Sequence, residues 1–130
     1  MADRFPLIVD SSTKQIKELP SNDNLNLALS SIVNVINVDL ASDIALKHNI
    51  IPIENSYEII QQINPVAFNW KNNNKKSYGV IAQELETILP ELVREDADNG
   101  LKSVAYIQLI PFLIQCVKDL QDQVSELKNK

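Results

Sequence analysis

The N-terminal part of the chain alternates apolar and polar positions, and this pattern predicts short β-strands. Residues 5–9 and 15–19 are two candidate strands, separated by the turn-forming residues 10–13. The period-two pattern continues through residues 25–29 and 32–40, where Leu, Ile and Val alternate with Asn, Ala and Asp. So few strands have little core of their own, and we expect them to be stable only against other copies or a second domain.

From residue 42 onward the pattern changes to short helices that alternate with strands. Helices are predicted where apolar residues recur every three or four positions, and strands where they alternate. In chain order, the predicted elements are a helix over residues 53–63, a strand over 66–70, a polar loop over 71–77, a helix over 81–92, and two strands, 92–94 and 102–104, around the turn-forming pair Asn99-Gly100. This mixture is typical of an α+β fold.

The C-terminal segment has the clearest periodicity. Five apolar residues recur at alternating steps of four and three, which is the a/d spacing of a coiled coil: Leu113, Val117, Leu120, Val124 and Leu127. The seam packs either into the core of a monomer or against other copies, and its narrow width and polar surroundings favour the second. The spacing does not distinguish a two-stranded coiled coil from a three-stranded one. Pro111 removes a backbone donor, so the seam is predicted only from residue 112 onward.

Composition excludes several classes of function. The chain has 130 residues and a net charge of -5, with no long basic stripe, which argues against nucleic-acid and anionic-membrane binding. No apolar run is long enough for a membrane span, and no signal peptide is expected. The chain has one cysteine, Cys116, and one histidine, so neither a disulfide framework nor a metal site is expected. Cys116 is predicted to be a packed helix residue.

Six short motifs follow one another between residues 42 and 111. They are Ser42–Ile50 (SDIALKHNI), Ile63–Lys71 (INPVAFNWK), Tyr78–Glu86 (YGVIAQELE), Leu89–Val93 (LPELV), Lys102–Tyr106 (KSVAY) and Leu109–Pro111 (LIP). In order and spacing they resemble the intramolecular chaperone auto-processing domain that ends phage endosialidase tailspikes and many tail fibres. The chain is therefore predicted to consist of a β-rich fibre or virion-attachment stub, residues 1–41, and the chaperone domain, residues 42–130.

The resemblance implies a small, intertwined α+β homotrimer whose C-terminal helices form a short coiled-coil bundle. Such a domain guides trimeric assembly of the fibre before it and then cuts itself off. Here the cut would fall between Ala41 and Ser42, with Ser42 and Lys47 as a catalytic dyad and Asp43 and His48 as possible support. The implied location is the virion, in a tail fibre or appendage, after assembly in the host cytoplasm. The implied partners are its own copies and, through residues 1–41, other virion proteins. No cofactor, metal, nucleic acid or membrane is expected.

The dyad is chemically reasonable, although its spacing alone does not predict it. A serine hydroxyl needs a base, and a lysine can be that base only as the neutral amine, which burial favours. Residues 42 and 47 are about 140° apart on a helix and on opposite faces of a strand, so the dyad needs irregular backbone or a neighbouring subunit's lysine. Without the resemblance, Ser42-Asp43 is a helix cap or turn and Lys47 a surface residue.

Three functions therefore stay open. The first is a self-cleaving chaperone. The second is an uncleaved trimeric structural protein of the virion, which is favoured by Ala45, because many family members carry a basic residue at that position. The third is an interaction module whose C-terminal helix binds a partner helix.

Overall fold

The chain forms two compact units, residues 1–46 and residues 47–130. A computed structural model describes residues 7–10, 15–18 and 39–130. Within these ranges, small two-stranded sheets and three α-helices make up an α+β fold, as the sequence predicts.

In the first unit, β1 (Leu7–Asp10) pairs with β2 (Gln15–Glu18) in an antiparallel hairpin. Both predicted N-terminal strands are therefore confirmed. The strand predicted over residues 25–29 lies outside the described residues, as does the predicted strand over residues 32–40 except for its last two residues, Asp39 and Leu40, which are not in a strand.

Helix α1 (Ser56–Gln62) confirms the first predicted helix but starts later than predicted. Asn55, the residue before it, has a left-handed backbone with a φ of 54°, which no α-helix can include. Ile53 therefore lies before the helix. The C-terminal end agrees with the sequence, because Ile63 is extended and Pro65 disfavours helix in Asn64.

Strand β3 (Val66–Asn69) pairs with β4 (Lys76–Gly79), and Val66 lies opposite Gly79. The predicted loop over residues 71–77 was too long, because Lys76 and Ser77 belong to β4. Two backbone hydrogen bonds close the shorter loop. Trp70 N donates to Lys75 O at 3.0 Å, and Asn74 N donates to Trp70 O at 2.7 Å. The predicted strand over residues 66–70 is confirmed.

Helix α2 (Ala82–Glu86) is much shorter than the predicted helix over residues 81–92. Pro90 explains the difference, because proline disfavours helical backbone in the preceding residue, and Leu89 has a φ of -134° and a ψ of 74°. A 3₁₀ turn, Pro90–Leu92, follows. The apolar spacing still builds the core of this unit, which has Leu85, Leu89 and Leu92 at its centre.

Strands β5 (Val93–Glu95) and β6 (Lys102–Val104) pair in antiparallel fashion, as predicted. Their connection is longer than the predicted tight turn. Asp96 N donates to Leu101 O at 2.9 Å, and Gly100 N donates to Asp96 O at 2.8 Å. Only Gly100 of the Asn-Gly pair has a positive φ, of 69°, whereas a type I′ turn needs two such residues.

Helix α3 (Leu109–Lys128) begins before the predicted start. Pro111 is tolerated because it lies in the first turn, where backbone N–H groups have no partner within the helix. Leu109 and Phe112 pack against the leucine core, and α3 also packs against α1. Cys116 is buried, which confirms its predicted packing role. None of the described helices is both long and apolar enough to cross a membrane.

Candidate cleavage and assembly sites

The predicted cleavage segment is exposed and lacks long regular structure. Residues 39–52 are all exposed, and a 3₁₀ turn, Ile44–Leu46, lies just after Ser42. The Asp43 carboxylate caps this turn by accepting a hydrogen bond from Ala45 N at 2.8 Å, and Leu46 N donates to Asp43 O at 3.1 Å. Asp43 thus has the capping role that the residues alone suggested.

The two predicted dyad residues fall on either side of the boundary between the units, since Ser42 belongs to the first unit and Lys47 to the second. Both side chains are exposed, as is His48. The backbone here is neither helix nor strand, because the 3₁₀ turn ends at Leu46 and Asn49 has a φ of 52°. The spacing objection for regular elements therefore does not apply, and the dyad itself stays a prediction.

The predicted seam lies on an exposed face of α3. Its five side chains keep between 40% and 67% of their surface exposed, so the interpretation as the core of a monomer is wrong. Ile110 occupies the preceding "a" position of the seam and is 51% exposed. The sequence analysis missed it because Pro111 limited the predicted seam to residue 112 onward. A separate face of the same helix, with Leu109, Phe112 and Cys116, packs within the chain.

A polar cluster that the sequence analysis missed joins α1 to α3. Ser56 is completely buried, and its Oγ donates to Asp119 Oδ2 at 2.9 Å. Gln115 Nε2 donates to Asp119 Oδ1, also at 2.9 Å. The hydrogen bond from Gln115, followed by those from Ser56 and the Tyr57 backbone, lowers the pKa of Asp119. The carboxylate thus caps α1 from another helix, where Asn55 makes no side-chain cap.

Two of the six motifs meet at the start of α2. The Tyr106 hydroxyl accepts a hydrogen bond from Val80 N at 3.0 Å. The same hydroxyl fills the space where a Cβ would stand on Gly79, so a larger residue there would force Tyr106 to move. Gly79 was part of the strongest motif in the sequence. Tyr106, however, lies 26 residues beyond Val80, and no residue near either position indicates that they are in contact.

Lys102 is the centre of a second connection, between α2 and the β5–β6 hairpin. Its Nζ lies 2.5 Å from Glu86 Oε2 and 3.4 Å from Glu95 Oε2. The hydrogen bond to Glu86 is the main cause that raises the pKa of Lys102, and Glu95 acts in the same direction. Over the described residues, no group of three or more His, Cys, Asp and Glu side chains is arranged to hold a metal ion.

The described residues thus form small α+β units in which the predicted cleavage segment and the apolar seam of α3 are both exposed, and part of the chain is similar to known proteins. Residues 42–94 match the family described as the chaperone of endosialidase, which confirms the predicted resemblance over that segment.

Particular relatives are phage tail fibre proteins. Long tail fiber protein Gp37 of Enterobacteria phage K3 is 35% identical over 111 aligned residues, which cover 75% of this chain and 8% of the relative. The protein of the same name from Enterobacteria phage T2 gives the same values. Long tail fiber protein Gp37 of Salmonella phage S16 is 25% identical over 131 aligned residues, covering 93% of this chain and 18% of the relative. The chain thus spans less than a fifth of the length of these curated relatives.

Proposed function

We propose that this chain is the part of a phage tail fibre in which residues 42–130 direct trimeric assembly and then cleave the chain between Ala41 and Ser42. One observation carries the proposal: the match to the chaperone of endosialidase begins at residue 42, the proposed nucleophile. The tail fibre relatives support a location in the virion, reached after assembly in the host cytoplasm. Residues 1–41 would attach to other virion proteins.

The exposed seam of α3 supports the trimer. The buried core of this unit is small, with Leu85, Leu89 and Leu92 at its centre, and it leaves the whole a/d row of α3 in water. Fully burying an apolar side chain of this size is worth about 1.5–3 kcal/mol. Packing three copies of the row into one bundle would recover part of that free energy at each position.

Cleavage would be an attack by the chain on itself. Ser42 Oγ attacks the carbonyl carbon of Ala41 while the neutral Lys47 amine takes the hydroxyl proton. The C–N bond between Ala41 and Ser42 then breaks, and the Ser42 nitrogen receives a proton and leaves as an amine, so that Ala41 is joined to Ser42 Oγ as an ester. Water hydrolyses the ester, which frees the Ala41 carboxylate and restores the Ser42 hydroxyl.

Assembly would control this reaction through burial. Lys47 is exposed in the single chain, and burial in apolar surroundings favours the neutral amine of a lysine. Apolar side chains on both sides of Lys47 are also exposed and available for burial: Ile44, Leu46, Ile50 and Ile51. Closure of the trimer over this segment would therefore create the setting that the base requires.

The test is the intact mass of the purified protein beside three variants. We expect a fragment that begins at Ser42 in the wild type, and its absence from Ser42→Ala and Lys47→Gln. Lys118→Gln, which removes an exposed lysine of α3, is the matched control and should cleave normally. Full-length protein in every sample would reject self-cleavage. An unchanged fragment in Ser42→Ala would reject the nucleophile.

The alternative is an uncleaved trimeric component of the virion. It is favoured by Ala45, which stands where many family members carry a basic residue. A trimer of full-length chains, in the wild type as in Ser42→Ala, would support this alternative.

A further inference from the structure

The β3–β4 hairpin is a basic element in an acidic protein. Residues 59–83 contain three lysines, Lys71, Lys75 and Lys76, and no acidic residue, although the whole chain has a net charge of -5. All three lysines are exposed. Within the described part of the chain, none of them forms a salt bridge, and Lys76 Nζ instead lies 5.5 Å from the centre of the Tyr78 ring.

The hairpin presents these charges on an ordered loop. Asn69 Nδ2 donates to Asn74 O at 2.9 Å, and Lys75 N donates to Asn73 Oδ1 at 2.9 Å. Trp70 is 50% exposed and packs edge-on against Phe68, with ring centres 5.1 Å apart. Exposed tryptophan and tyrosine are enriched at protein interfaces, so this loop has the composition of a contact surface for a protein partner.

The β5–β6 hairpin and the turn before it have the opposite charge. Residues 91–98 contain Glu91, Glu95, Asp96 and Asp98 against a single Arg94. Lys102 adds a positive charge on β6, but Glu86 and Glu95 already surround it. Glu91 and Asp98 are exposed. Neither carboxylate forms a salt bridge with another described residue of its own chain.

We propose that in the trimer the basic β3–β4 hairpin of one protomer contacts the acidic β5–β6 hairpin of the next. This contact rests on the trimer proposed above. Each copy supplies one basic and one acidic hairpin, so in a closed head-to-tail ring every basic hairpin contacts the acidic hairpin of the next protomer. A second copy is favoured over a foreign polyanion as the partner of the basic hairpin, because every chain carries one acidic hairpin for each basic hairpin. Opposite charges of this kind accelerate association and fix the register of the subunits.

The experiment exchanges the charges between the hairpins. Lys71→Glu/Lys75→Glu reverses the charge of the basic hairpin, Glu91→Lys/Asp98→Lys reverses that of the acidic one, and a third variant carries all four changes. Lys128→Glu/Lys130→Glu is the control for the basic hairpin, because it lowers the net charge by the same amount as Lys71→Glu/Lys75→Glu but does so at the end of α3. The rate of trimer formation is measured at low and high salt by sedimentation and light scattering.

Each hairpin variant should assemble more slowly than wild type at low salt, by about tenfold or more, and less so at high salt. The chain with both hairpins reversed should regain most of the lost rate, and the control should stay close to wild type. A monomeric wild type would overturn the trimer and this contact together. The contact alone would be overturned if the wild type is trimeric but the lysine variant assembles at the wild-type rate, or if reversing both hairpins restores none of the lost rate. Either result would point to a separate polyanion or another surface.

Discussion

Replacing Gly79 by alanine tests why the two motifs around Gly79 and Tyr106 occur together. A Cβ on Gly79 would overlap the Tyr106 hydroxyl, while the next nearest atoms are Tyr106 Cζ at 3.3 Å and a Phe68 ring carbon at 3.5 Å. Relief requires Tyr106 to move, which breaks its hydrogen bond with Val80 N. Overpacking of this kind costs about 1–3 kcal/mol, and the lost hydrogen bond costs about 1 kcal/mol.

A double variant separates the overlap from other effects of the substitution. Tyr106→Phe alone should cost about 1 kcal/mol, because it removes only the hydroxyl. In Gly79→Ala/Tyr106→Phe the nearest atom to the new Cβ is a ring carbon, so the double variant should be little less stable than Tyr106→Phe. The two changes should therefore be clearly non-additive.

The assay is urea unfolding followed by the fluorescence of Trp70, the single tryptophan, at one protein concentration for all variants. Gly100→Ala is the control. It strains a backbone with a φ of 69°, but no atom lies within 4 Å of its Cβ, so its cost should add to that of Tyr106→Phe. If Gly79→Ala also simply adds to Tyr106→Phe, the steric explanation is wrong.

Two further predictions concern α3. Leu120 is 40% exposed, and its burial in a bundle is worth about 1 kcal/mol per chain, so Leu120→Asp should abolish the trimer and self-cleavage together. Ser125→Asp on the polar face should keep both the trimer, measured by light scattering, and cleavage, measured by intact mass. Cleavage at the wild-type rate by a monomeric variant would contradict control by assembly. Because the folded-state pKa of Asp119 is lowered, its contribution to stability is present above the ordinary Asp pKa and is lost as pH falls through the lowered value. Asp119→Asn should therefore flatten the fall in the free energy of unfolding at acid pH, measured by urea unfolding over a series of pH values.

Local signals in the sequence predicted most elements of the fold. Period-two alternation located β3, β5 and β6, and the spacing of apolar residues located α1 and α3. The errors came from single residues that override periodicity. Pro90 ended α2 early, and the left-handed backbone of Asn55 delayed the start of α1.

The polar contacts were beyond prediction because their partners are far apart in the chain. Ser56 and Asp119 are separated by 63 positions, and nothing in the residues around either one indicates the other. A serine at the first position of a helix suggests a local cap. The structure instead supplies the cap from the side of α3 that faces α1, which only the packing of the two helices determines.

The two faces of α3 give the proposed mechanism its order of events. The helix is held to its own chain by Phe112, Cys116 and Asp119, so the a/d row lies on the surface of the single folded chain. A row held in this way can recognise other folded copies, whereas unfolded chains offer no such surface. Under the proposal, the exposed Lys47 then becomes an effective base only when the copies have closed around the cleavage segment. Folding would therefore precede assembly, and assembly would precede cleavage, so that the chaperone leaves only a fibre that has already reached its trimeric form.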